Sequence, residues 1–175
     1  TTYTVTVTGA NGCTATDAAV VTVNKAAPTV DAGVDKNLNC TTTSTTIGTT
    51  SIAGNTYSWS PATGLSSTSV AQPTANPSST TTYTITVTGS NGCTATDAVT
   101  VNVNATTPTA NAGLDYTLTC TNPSTVIGTT SIAGNTYLWS PATGLSSVTI
   151  AQPTANPAST TTYTVTVTGS NGCTA

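Results

Sequence analysis

Thr81-Thr-Tyr-Thr-Ile-Thr-Val-Thr-Gly-Ser-Asn-Gly-Cys93 carries a β-strand and the turn that ends it. Tyr83, Ile85 and Val87 alternate with Thr84, Thr86 and Thr88, so one face is apolar and the other is a row of hydroxyls. Ser90-Asn-Gly92 follows as a hairpin signal, because Asn-Gly readily adopts positive φ. Val99, Val101 and Val103 then resume the inward face, with Thr100, Asn102 and Asn104 outward. The stretch recurs upstream, from Thr1 to Cys13, and downstream at the same interval, from Thr161 to Cys173. Between 41–95 and 121–175, nine of 55 positions differ (42, 43, 46, 58, 68, 69, 70, 78 and 85). Near-identical tandem units point to a function of length and multiplicity.

Composition narrows the class. Charged residues make up 4% of the chain, against about 25% in an ordinary soluble domain. Thr fills 49 of the 175 positions, and Glu, Arg, His, Met and Phe are absent. Thr is β-branched and suits a pleated surface, and no stretch shows the spacing of an amphipathic helix. The expected fold class is all-β.

A net charge of −3 argues against a nucleic-acid partner, which would need clustered Lys or Arg. No apolar run approaches the ~20 residues of a membrane span.

The breaks at Lys25-Ala-Ala-Pro28 and Ala105-Thr-Thr-Pro108 read as linkers. They divide the chain into 1–25, the last strands of a preceding repeat; 26–105, a complete repeat; and 106–175, a repeat without its last strand. The expectation is a segment of a longer array. Strands are expected near 28–34, 36–40, 45–52, 56–60 and 68–72, before the pair described above. That many short strands between 26 and 105 fit tandem immunoglobulin-like sandwiches. Trp59 and Trp139 are expected in the core, with Tyr83 and Tyr163.

Cys13, Cys93 and Cys173 occupy one repeat position, and Cys40 and Cys120 another. If strands run alternately up and down, the end of the second strand and the final hairpin share a pole. That geometry predicts Cys40–Cys93 and Cys120–Cys173 bonds, with Cys13 pairing upstream. A Cys13–Cys40 bond would have to cross a module length of ~30 Å, whereas disulfide Cα atoms lie within about 7 Å. A metal site is disfavoured, since each unit holds two Cys and no His. Disulfides imply an oxidising, extracellular setting.

Asn55-Thr-Tyr-Ser-Trp-Ser-Pro-Ala-Thr-Gly-Leu65, Ala71-Gln-Pro-Thr-Ala-Asn-Pro77 and the closing Asn91-Gly-Cys93 together carry a resemblance. The chain resembles the PKD-like, immunoglobulin-like repeats of giant secreted Bacteroidota surface proteins, including gliding-motility-associated adhesins. The resemblance implies type IX secretion, disulfide-bonded sandwich modules and a place in a cell-surface adhesin or appendage. After Trp59 the sequence departs from the PKD pattern, with Ser-Pro-Ala-Thr-Gly in place of an acidic loop.

Catalysis is not expected. Without His, Glu or Arg there is no ordinary general base and nothing to activate a hydroxyl. A Lys–Asn isopeptide staple would need Lys in every unit, but Lys25 and Lys36 become Ala105 and Tyr116. No cofactor is expected. Asp31, Asp35 and Asp115 near the linkers are the candidates for calcium, weighed against Asp as a turn residue. Thr82, Thr84, Thr86 and Thr88 form a ladder reminiscent of ice-binding surfaces, but so long a repeat offers one ladder per unit, or two with the adjacent strand, and Thr as the solvent face of a strand is the favoured reading.

The uncharged surface offers little repulsion between copies, so lateral association into a homo-oligomeric bundle is expected. The cell-surface or glycan target would be bound by regions outside these residues. The leading reading is a structural fibre that extends a distal binding tip for attachment, gliding or capture of other cells. The alternative is a spacer or carbohydrate-binding array attached to a secreted hydrolase.

Overall fold

The computed structural model describes all residues, Thr1–Ala175, as twelve strands and no helix. In chain order these are β1 (Thr2–Thr8), β2 (Thr14–Val20), β3 (Lys36–Asn39), β4 (Thr45–Thr46), β5 (Thr56–Ser60) and β6 (Thr74–Ala75). They continue with β7 (Thr81–Thr88), β8 (Thr94–Asn104), β9 (Thr125–Val126), β10 (Thr136–Ser140), β11 (Thr154–Ala155) and β12 (Thr164–Thr168). The all-β expectation holds.

The middle unit forms one sheet in the order β3-β8-β7-β5 and a short second sheet, β4-β6. The alternation read from sequence is the alternation of the fold: Tyr83, Ile85 and Val87 on β7 and Val99 and Val101 on β8 are buried. They meet Leu38 of β3 and Trp59 of β5, and across the sandwich Ile47 and Ala75. Burying each large member contributes about 1.5–3 kcal/mol relative to exposure. The β7–β8 turn closes at Ser90-Asn-Gly92, where Gly92 has φ of 77°.

Gly48 shows why the core tolerates no side chain at its edge. Its φ is +81°, and a Cβ there would run into the Ala71 carbonyl and the Trp59 ring. The same geometry recurs at Gly128 against Ala151 and Trp139.

Two expected strands are absent. Residues 28–34 bend because side chains claim their N–H groups. Asp97 Oδ2 accepts the Ala32 N–H at 2.8 Å and Asp31 Oδ1 accepts the Gly33 N–H at 2.7 Å. Residues 68–72 serve Trp59: its backbone N–H donates to the Thr68 carbonyl at 2.8 Å and its indole N–H to the Val70 carbonyl at 2.9 Å. The strand in that region is β6, at Thr74–Ala75. The expected strand at 45–52 shortens to β4.

The first and third units hold fewer strands than the middle one. Residues 1–25 form only the β1–β2 hairpin, whose side chains face solvent on both sides; Tyr3 is 62% exposed. In the third unit, β10 pairs with β12 and β9 with β11 around a smaller cluster that includes Ile127, Trp139 and Val167. In that unit only Thr174 and Ala175 stand where β8 begins, paired with Thr168 and Val167. A groove of about 640 Å³ opens there along Leu114, Leu118, Trp139 and Tyr163.

Candidate functional site

The recurrent site is the joint between units, and the direction of one strand creates it. β3 runs parallel to β8, with Lys36 opposite Val101 and Asn39 opposite Asn104. Both strands therefore run out at the same pole. The Ser90–Gly92 hairpin, which precedes β8, lies at the other. Eleven residues of β8 span ~33 Å at the usual strand rise, so Cys40 and Cys93 sit at opposite ends of the unit.

The expected pairings Cys40–Cys93 and Cys120–Cys173 are thus corrected. Cys40 is bonded to Cys173, with Cα atoms 5.0 Å apart across the joint. Cys13, Cys93 and Cys120 are free thiols, Cys13 and Cys120 being exposed. An up-and-down arrangement gives β3 the wrong sense and sends the cysteine after it to the wrong pole.

Side chains shape both halves of the joint. On one side, Asn39 Oδ1 accepts the Thr41 and Thr42 N–H groups at 3.0 and 2.7 Å, reversing the chain immediately after Cys40. On the other, the hairpin 169–173 closes through Gly169 N–H to the Cys173 carbonyl at 2.9 Å. Asn171 Oδ1 accepts the Cys173 N–H at 3.1 Å. Its Nδ2 donates to Asn104 Oδ1 at 3.0 Å and to the Thr106 carbonyl at 2.9 Å. One amide thus orients the cysteine and grips the linker. A Cβ on Gly172 would press on Thr41, so the two units touch closely there.

The clamp is repeated at the preceding joint. Asn91 Nδ2 donates to Asn24 Oδ1 at 3.1 Å and to the Ala26 carbonyl at 2.9 Å, and Asn91 Oδ1 accepts the Cys93 N–H at 3.1 Å. From sequence, Asn91 and Asn171 read only as turn formers. The signal for the clamp is the recurrence of Asn24 and Asn104 just before each linker.

The other expected residues are placed as follows. Trp59 and Trp139 are buried, their indoles donating to the carbonyls of Val70 and Ile150. Tyr83 is fully buried, and its hydroxyl donates to the Thr63 carbonyl at 2.7 Å; burial pushes its phenol up from the ordinary value. Tyr163 repeats that bond to Thr143 at 2.6 Å but is only partly buried.

Asp31 and Asp35 do not converge on a cation site. Asp31 holds Gly33, and Asp35 Oδ1 accepts the Thr100 N–H at 2.8 Å, fixing β8. Asp115 lies along the third unit's groove. No three His, Cys, Asp or Glu side chains are grouped in a way that could hold a metal ion. Asp97 accepts N–H bonds from Ala32 and Ala98, which hold its carboxyl below the usual aspartate range.

No protein-family model matches the chain, and no curated protein does. Among solved structures, the chain is similar to the human desmocollin-1 ectodomain at 8% identity and a TM-score of 0.39. The match covers 93% of this chain and 38% of that one, and an overlap so loose carries no weight for activity or partners.

Proposed function

We propose that this chain is a load-bearing repeat segment of a secreted surface fibre, holding a binding tip away from the cell and performing no chemistry itself. The observation that supports this most is the joint. The hairpin of one unit grips the linker before it through the same asparagine at two successive joints, and one joint is also covalently bonded. Repeated end-to-end clamps suit a spacer under tension. The disulfide fits an oxidising, extracellular setting.

In this reading the chain belongs with the giant Bacteroidota adhesins of the type IX route, and it needs no cofactor. Its low charge lets copies bundle side by side into a homo-oligomeric filament. The serving role is attachment, gliding or capture of other cells.

Gold-labelled antibody against residues 26–105, applied to the cells that make the protein, tests the reading. Label strung along surface filaments is expected. Label confined to soluble secreted hydrolase would contradict it and favour the spacer of an enzyme, and glycan-array binding by residues 1–175 would favour a carbohydrate-binding array. Light scattering of concentrated chain tests bundling, which predicts oligomers; monomers throughout would remove the filament from the reading.

A further inference from the structure

We propose that the cysteines follow one rule: each Cys40-type thiol bonds to the hairpin cysteine at the separation seen for Cys173, so that every joint of an array carries a staple and the array resists stretching. The observed bond has a sequence separation of 133. Applied to the three free thiols, the rule gives none of them a partner among residues 1–175, and none is paired. In a longer array that separation would pair Cys13 and Cys93 with cysteines of preceding units and Cys120 with the hairpin cysteine of the following one.

The repeated clamp is independent support. Asn91 holds Cys93 at the first joint with nearly the distances by which Asn171 holds Cys173 at the second. Cys93 is therefore presented to the preceding unit as Cys173 is presented to Cys40. The rule depends on the repeat and the joint, and it stands whether or not the fibre serves at a cell surface.

The consequence is mechanical. Successive staples overlap, so tension applied along an array follows the shortest covalent path rather than the whole chain. That path jumps from a Cys40-type residue to the bonded hairpin cysteine, then follows the chain to the next Cys40-type residue, as from Cys93 to Cys120. Every two units of array then reach roughly 95 Å at ~3.5 Å per residue, against about 560 Å without staples. Two folded units already measure ~66 Å by their strand length. A stapled array is a strap that lengthens little even when its cores fail.

Each staple forms by exchange. One thiolate attacks an external disulfide such as oxidised glutathione and releases one glutathione thiolate; the second attacks the protein sulfur of the mixed disulfide and releases the other, so one glutathione disulfide becomes two glutathione thiols per bond made.

Single-molecule pulling of residues 1–175 from both ends tests this, with and without dithiothreitol. The Cys40–Cys173 bond removes residues 41–172 from the path, so the oxidised chain should stop at ~150 Å. Reduction should let it reach ~610 Å. Bonds within units would instead remove 41–92 and 121–172 and stop the chain at ~250 Å. That length, or ~610 Å without reductant, would overturn the proposal. The rule itself is tested by appending a second copy of residues 96–175. It predicts that Cys120 joins the added unit's hairpin cysteine and that three thiols remain titratable. A single titratable thiol would contradict it, and thiol counting under denaturant needs no folded variant.

Discussion

Units 26–105 and 106–175 share most of their sequence, with 17 of 70 aligned positions differing, yet have unlike interiors. Ile47 is 1% exposed and its counterpart Ile127 8%, and Tyr83 is fully buried where Tyr163 is not. The cause is β8. Val99 and Val101 close the first core and β3 pairs along β8; residues 114–120 have no such neighbour, differ from 34–40 at Leu114, Tyr116, Thr117 and Thr119, and form no strand. Burial in this fold is decided by the partner strand as much as by the residue itself.

The largest test of that rule is a pair of substitutions at equivalent positions of the middle unit and the first. Val101→Asp puts a carboxylate in the closed core and should cost ~3 kcal/mol or more. Val21→Asp, at the exposed end of the β1–β2 hairpin, should change stability by less than about 0.5 kcal/mol. Denaturant titration of a Trp139→Phe background, where Trp59 alone reports, separates the two. Equal effects would mean that burial does not differ as described.

A second test fills the groove. A peptide with the sequence Thr96–Asn104 should dock beside β12 as the same residues of β8 dock beside β7. At a hundredfold excess over its Kd it would stabilise the third unit by about 2.7 kcal/mol. Trp139 fluorescence during melting, in a Trp59→Phe background, would show the rise. No shift at saturating peptide would mean the groove is not shaped by the absent strand.

The smallest effect is electrostatic. The folded pKa of Asp97 lies below its unfolded value, so its contribution is full above about pH 4 and is lost as pH falls through the folded pKa. Asp97→Ala, discounted for solvent screening of an exposed carboxylate, should cost about 0.5 kcal/mol at pH 7 and flatten the acid limb of the stability curve. An unchanged limb would show that its bond to Ala32 contributes nothing.

Much of this is legible in the chain. Alternation at 83–87 and 99–103 marks the inward faces, the Asn-Gly pairs mark the hairpins, and Trp59 reads as core. Strand direction is not legible, because a period of two reads the same upward or downward. An up-and-down reading therefore makes β3 antiparallel and pairs Cys40 with the wrong hairpin. The clamps of Asn91 and Asn171 also escape, since a side-chain bond to a linker 65 residues earlier leaves no periodic trace.

The most direct measurement is a non-reducing chymotryptic map of the oxidised chain by mass spectrometry. A disulfide-linked pair containing Cys40 and Cys173, with Cys93 and Cys120 recovered as thiols, is the predicted result. A pair containing Cys40 and Cys93 would contradict the parallel sense of β3, the stapled joint and the strap built from it.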